Sequence, residues 1–237
     1  MRHSQVRGGC LEQATCGIFQ ILTWRMSVIH IVTPENDYLY RDEMEQAYRL
    51  RHQVFVEEMG WTDLAKPDGR EIDQFDNQHT VHMLYIEEGK VLGYQRMLPS
   101  TRPHLLSEVM PELCEGERPV GSHIWECTRH CVARGHREKG RVASPIANAV
   151  LSGMVEWGLR SGISTVIVEI EPMALLRFVQ LHFRPTPLGL PIKMGRHDIL
   201  AATLTFNWRT LERLRELRGN RCRVLAESFE QPALLQA

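Results

Sequence analysis

A chain of 237 residues, 43% hydrophobic and 24% charged, is the size of one ordinary domain and carries enough apolar residues to fill a core. Its formal net charge of −1 excludes a global pull toward nucleic acid or an anionic membrane, so any partner must be recognised locally. The apolar run before Met26, Gly17 to Leu22, is interrupted by Gln20 and is too short for a signal-peptide core or a membrane span, so a cytoplasmic protein is expected.

Ser27 to Val32 alternates and is rich in β-branched residues, which predicts a first strand. Pro34-Glu-Asn-Asp37 then supplies turn and capping chemistry for a helix from Tyr38 to Glu57, on which Arg51 and Phe55, four apart, share a face. Met59 to Gln78 is polar, holds a Pro67-Asp-Gly turn, and reads as a long loop of the kind that often carries function. Thr80 to Ile86 and Val91 to Leu98, joined through Glu87-Glu-Gly-Lys90, form a hairpin. Arg96 shares parity there with Leu92, Tyr94 and Leu98, so a charge is expected on an apolar face.

A short helix is expected over Leu105 to Leu113, a strand over His123 to Val132, and a helix over Val142 to Ser161 closed by Gly162. Thr165 to Ile170 is a β-branched strand, Pro172 to His182 a helix, Ile199 to Phe206 a last strand, and Trp208, Leu211, Leu214 and Leu217 mark a closing helix. Hairpins mixed with helices argue for an α/β layer fold with a mixed sheet. The six cysteines, Cys10, Cys16, Cys114, Cys127, Cys131 and Cys222, include no CxxC pair. Cys127-x3-Cys131 beside His130 has no second ligand pair, so reduced, buried thiols are expected rather than a metal site.

The chemistry-bearing residues are dispersed: Arg51-x3-Phe55-x5-Trp61, Glu71-Ile-Asp73-x2-Asp76, Arg96, and Trp125-Glu126-x2-Arg129. Several lie in segments that read as buried, where an ionised side chain costs several kcal/mol unless it meets a partner or a charged ligand. Acids and arginines so placed imply a zwitterionic pocket. Glu126 and Arg129 differ by an odd number, which sends them to opposite faces of an ideal strand; a β-bulge, a common device beside active sites, would bring both to one cleft.

In type and order, Arg51, Phe55, Trp61, Asp73, Asp76, Arg96, Glu126 and Arg129 resemble the signature of the LuxI-type acyl-homoserine lactone synthases, the autoinducer synthases of bacterial quorum sensing. The likeness runs from about Val28 to about Phe206, with Met110 standing where the family usually has Phe. The resemblance implies a GNAT-like single domain, a central sheet splayed to admit a thioester and flanked by helices. It also implies a reaction: the α-amine of S-adenosylmethionine (SAM) attacks an acyl thioester, and the methionine carboxylate then displaces the sulfonium. The lactone closes and methylthioadenosine (MTA) leaves. SAM is thus a co-substrate and no separate cofactor is expected.

On that reading Glu126 is the base for the amine, directly or through water; a carboxylate paired with Arg129 or Arg96 is the structural alternative. Asp73 and Asp76 suit a ligand bearing an ammonium and a sulfonium, or else cap a turn. Arg51, Arg96 and Arg129 would hold the substrate carboxylate or keep the acids in register. Phe55 and Trp61 would pack on adenine or the sulfonium, or belong to the core.

Arg134, Arg137 and Arg141 form a basic loop. Arg137-x2-Gly140-x-Val142 partly matches the pyrophosphate loop of GNAT enzymes, and the loop would contact the acyl donor or carrier, or simply be solvated. Pro67 to Asp73 and Thr186 to Pro191 look like the subgroup that takes acyl-CoA rather than acyl carrier protein. The synthase domain is expected over residues 26 to 220, with 1 to 25 an extension or start-site artefact and 221 to 237 a tail. Two other classes fit single features: a GNAT N-acyltransferase on another amine, for which Trp61, Asp73 and Asp76 would have no special task, and a non-catalytic module binding a thioester or carrier protein.

Overall fold

The computed structural model describes residues 29–137 and 144–226. In chain order the described strands are β1 (Ile29–Val32), β2 (Val81–Glu87), β3 (Lys90–Pro99), β4 (Ile124–Val132), β5 (Thr165–Ile170), β6 (Arg184–Pro187), β7 (Ile192–Met194) and β8 (His197–Thr205). The α-helices are α1 (Arg41–Arg51), α2 (Leu105–Glu108), α3 (Pro145–Arg160), α4 (Ala174–Gln180) and α5 (Trp208–Arg218). The strands join in the order β1-β2-β3-β4-β5-β8-β6, with β7 on β8. Every pairing is antiparallel except β4 with β5.

That parallel pair is short. It runs only from Ile124↔Thr165 to Glu126↔Ile167, although β4 continues to Val132 and β5 to Ile170. Past Glu126 the strands are no longer paired and a cleft opens between them. One sheet face packs on α3, where Val166 and Val168 join Met154, Val155 and Trp157. On the other face Ile167 and Ala201 pack with Leu106 and Leu113. Trp125 meets Trp157 edge to face at 5.1 Å and anchors β4 on α3 just before the split. The layers and the splay make the fold GNAT-like.

Local chemistry accounts for the elements. The β2–β3 turn places Glu88 (φ 50°) and Gly89 (φ 73°) both in the left-handed region, the geometry of a two-residue hairpin whose twist matches its strands. α3 starts at Pro145 behind Ser144, whose hydroxyl accepts the Ala147 amide at 3.2 Å. Of the closing helix, Leu211 and Leu214 are fully buried while Trp208 and Leu217 face solvent.

Several expected elements differ. The single helix expected over Tyr38 to Glu57 is a 3-10 turn (Asp37–Leu39), then α1, then a π-helical turn (His52–Glu58), because Tyr40 (φ −121°, ψ 25°) interrupts the first turn. The helix expected over Leu105 to Leu113 is α2 followed by a 3-10 turn, Pro111–Leu113. β6 and β7 are additional. β6 contains Pro185 and Pro187, which is tolerated because it pairs on one side only. The packed fold also runs past residue 220: Val224 and Leu225 are fully buried, and Ile29 N donates to Val224 O at 3.0 Å. The extension expected over residues 1 to 25 lies outside the described residues.

Candidate active site

Arg51, Arg96 and Arg129 meet Glu71, Asp73 and Asp76 in one closed set of ion pairs. Arg51 is fully buried at the end of α1; its Nε donates to Glu71 at 2.5 Å and its two Nη atoms grip Asp76 at 2.7 and 2.8 Å. Arg96 on β3 holds Asp73 with two bonds of 2.6 and 3.0 Å, reaches Asp76 at 3.1 Å, and donates from Nε to the Thr128 hydroxyl at 3.0 Å. Arg129 closes the ring, donating to Asp73 at 2.8 Å and to both oxygens of Glu71 at 3.2 Å. Three positive and three negative formal charges cancel, the condition under which such groups tolerate burial.

The electrostatics follow. Burial alone would raise the Asp76 carboxyl, but the paired bonds from Arg51 and the charges of Arg51 and Arg96 outweigh it and hold that carboxyl well below its usual range. Behind Arg51, the Tyr94 hydroxyl accepts from its Nη1 at 3.2 Å and lies 2.7 Å from His82 Nδ1. Burial pushes the His82 imidazole down to about 4, so the ring is neutral near pH 7.

A bulge does lie between Glu126 and Arg129, although it brings only Arg129 to the cavity. β3 and β4 pair at Tyr94↔Cys131 and at Arg96↔Thr128, leaving Gln95 opposite both Arg129 and His130. Arg129 takes up the extra length with φ 57°, a left-handed value rare for a bulky residue. Its guanidinium lies 5.5 Å from the Phe55 ring centre and 5.6 Å from that of Trp61, and the two rings stack on each other at 5.1 Å. The bulge also separates Cys131, which packs with α1, from Cys127, which packs on the α3 side.

Glu126 stands apart from the ring of arginines and pairs with neither Arg96 nor Arg129. Fully buried on β4, it accepts from the Leu105 and Leu106 amides at 2.8 and 2.7 Å and lies 2.8 Å from His104 Nδ1. Its carboxylate therefore sits at the amino end of α2, where backbone N–H groups favour an anion.

These groups border a cavity of about 530 Å³ opening at the split. Cys127, Thr128, Arg129 and His130 line it from β4, and Val168, Glu169 and Ile170 from β5. Phe55, Met59 and Trp61 form one wall, with Leu105 and Met110 beyond. Leu151, Phe178 and Ile199 extend the apolar part. Of the residues singled out from sequence, Phe55, Trp61 and Arg129 border the cavity directly. Arg51, Arg96, Asp73 and Asp76 stand behind them, and Glu126 lies beneath its floor.

The basic loop is dispersed. Arg137 donates to Val132 O at 2.7 Å and pairs with Glu58, Arg134 is exposed, and Arg141 lies outside the described residues. Two acids to which the sequence reading gave no role are brought in by the structure. Glu71, fully buried, bridges Arg51 and Arg129. Glu169 faces the cleft. Alternation in Glu71-Ile-Asp73 was the available sign for the first; an acid inside a β-branched strand was the sign for the second.

A GNAT-like sheet split at a parallel pair, with an ionic and aromatic mouth leading into an apolar chamber, defines an acyltransferase. Residues 35–214 match the model of the autoinducer synthase family. The isovaleryl-homoserine lactone synthase of Bradyrhizobium diazoefficiens is 37% identical over 193 residues, 81% of this chain and 86% of that protein. The solved structure of BjaI, a CoA-dependent acyl-homoserine lactone synthase with SAM and isopentyl-CoA, superposes with a TM-score of 0.79 at 35% identity, covering 84% of this chain and 92% of that one. MesI, another CoA-dependent acyl-homoserine lactone synthase, gives a TM-score of 0.75 at 34% identity over 84% of this chain and 99% of its own. The chain belongs to the autoinducer synthase family and is an acyl-homoserine-lactone synthase.

Proposed function

We propose that this enzyme takes its acyl group from acyl-CoA, joins it to the α-amine of SAM, and releases MTA as the lactone closes. The observation that carries this reading is a cleft whose mouth holds Arg129 against the stacked Phe55 and Trp61 rings and whose interior is apolar. An amino acid with a sulfonium fits the mouth and an acyl chain fits the interior. The relative solved with SAM and isopentyl-CoA, and the same relative solved with MTA, support the substrate pair and the product.

Arg129 is the proposed contact for the methionine carboxylate, since guanidinium binds carboxylate through paired bonds. Arg51, Arg96, Asp73 and Asp76 hold Arg129 and the two rings in place and supply a mixed-charge field to the zwitterion. Phe55 and Trp61 flank the adenosyl end. Glu126 is proposed to receive the proton of the attacking amine. Glu126 is fully buried and does not line the cleft, so the proton reaches it through an intermediary. Among the described residues no helix is long and apolar enough to cross a membrane, and the cytoplasm, where both substrates are made, is the proposed compartment.

The test is to incubate the purified protein with SAM and a panel of acyl-CoA and acyl-carrier-protein donors, following MTA and lactone by mass spectrometry. Lactone and MTA are expected with acyl-CoA. No MTA with any donor would reject the reading, and turnover with carrier-bound donors alone would reject its acyl-CoA part.

A further inference from the structure

Two carboxyls line the cleft outside the scheme above, Glu171, which meets His197 at 2.5 Å, and Glu169. Glu169 lies on β5 two residues beyond Ile167, the last β5 residue paired with β4. Alternation puts its side chain on the same sheet face as Ile167 and as Glu126, Ile167's partner, at the point where the strands separate. Glu169 lines the cleft, yet its Oε1 is buried without a hydrogen-bond partner among the described residues. Glu126 has the opposite arrangement: away from the cleft, with both oxygens engaged.

Resting on the synthase reading above, we infer that Glu169 is the cleft-facing half of a two-carboxyl acid–base device whose buried half is Glu126. Glu169 is the intermediary, exchanging protons directly with the reacting atoms. In the acyl-transfer step the neutral amine nitrogen bonds to the thioester carbon. As the C–S bond breaks, the departing sulfur keeps its electron pair and takes the Glu169 proton, giving the free thiol of coenzyme A. The surplus proton on nitrogen passes to the carboxyl pair, which returns to its starting state with one proton shared between two groups. The products are one amide and one thiol, with nothing oxidised or reduced.

The surroundings suit an acid at this position. Glu126, Cys127 and Arg129 face Glu169 from β4, while His130 on β4, Glu171 just past β5, Arg177 on α4 and His197 on β8 line the same cleft, His197 beside Glu171 at 2.5 Å. Burial first, and the charge of Glu126 next, push the Glu169 carboxyl well above the ordinary range against the lowering pull of Arg129. Two acids in contrasting environments are the pattern by which one site keeps a proton donor beside an anion. The competing explanation is that Glu169 only shapes the acyl chamber. It predicts altered donor preference with the chemical step intact.

The experiment compares wild type, Glu169→Gln, Glu169→Asp and Glu126→Gln, measuring thiol release from acyl-CoA as a function of pH and SAM binding by calorimetry. Expected for Glu169→Gln is a fall in kcat of about 100-fold, with SAM affinity unchanged and part of the rate restored in Glu169→Asp. In Glu126→Gln the alkaline limb of the kcat profile should move to lower pH, because the anion that raises Glu169's proton affinity is gone; a Glu126 not coupled to Glu169 would leave the limb in place. A Glu169→Gln enzyme within about threefold of wild-type kcat, or an unmoved alkaline limb in Glu126→Gln, overturns the inference. If Glu169→Gln does not fold, the limb in Glu126→Gln decides alone. Wild type that releases no thiol with any acyl-CoA defeats the acyl-CoA reading instead, so the two failures are distinct.

Discussion

Buried ion pairs repay their desolvation only when each donor and acceptor finds a partner, and the ring around Arg51, Arg96 and Arg129 shows what that requires. Glu71 is its keystone: one oxygen serves Arg51 Nε and Arg129 Nε, and the other serves Arg129 Nη2. Replacing it with Gln keeps the shape but removes the charge, leaving more positive than negative charge in a closed site. Glu71→Gln is therefore expected to lower the unfolding free energy by about 3 to 5 kcal/mol, read from urea titration, and to weaken SAM binding through a displaced Arg129. A loss below about 1 kcal/mol would mean that the remaining acids absorb both arginines without it. Why the sequence reading named Glu71 but gave it no role is physical. Its partners lie 20 and 58 positions away, and chain order does not reveal which acid closes onto which guanidinium.

At the scale of elements, the parts set by local chemistry were legible and those set by partners were not. The β2–β3 hairpin, β4, β5 and the closing helix follow from alternation, turn residues and apolar spacing. Parity between Glu126 and Arg129 offered a bulge in β4 as the way to bring both to one cleft; the bulge is present opposite Gln95, yet only Arg129 borders the cavity. The π turn after α1 and the proline-bearing edge strand β6 were hidden, because the first departs from ordinary helical hydrogen bonding and the second is held by β8 against its own propensity.

The cleft also depends on how closely α3 lies on β3, and Gly93 sets that distance. A Cβ there would stand 2.7 Å from Ile146 Cγ2, 3.1 Å from Val150 Cγ2 and 3.2 Å from Tyr85 Cβ. Gly93→Ala is expected to push α3 away and cost about 1 to 3 kcal/mol by thermal or urea unfolding. It should also lower turnover with long acyl donors, since Leu151 on the same helix lines the chamber. Unchanged stability would show that the helix yields without consequence for the sheet.

For the whole molecule, a formal net charge of −1 conceals a strongly organised interior, and that interior should govern the response to acid. Burial holds the His82 imidazole at about 4 against an ordinary 6.5, so between those values the unfolded chain binds a proton that the native protein refuses. Stability from this group is complete above 6.5 and is lost as pH falls toward about 4, by up to about 3 kcal/mol for a shift of this size. Asp76 continues the decline. Its carboxyl is depressed in the native state, so its contribution is full above the ordinary carboxylate value of 3.8 and drains as pH falls from there toward the lower native value. The two windows adjoin. Urea midpoints should therefore begin to fall near pH 6.5, well before bulk carboxylate protonation, and keep falling below 4. His82→Gln can still accept the Tyr94 hydroxyl but does not titrate, so it should make the upper part of the curve shallower, with His130 keeping its share because burial holds its imidazole at about 4 as well, and leave the lower part intact. A wild-type midpoint that stays level from about pH 7 down to about pH 5 would show that the buried imidazole contributes nothing to the pH dependence.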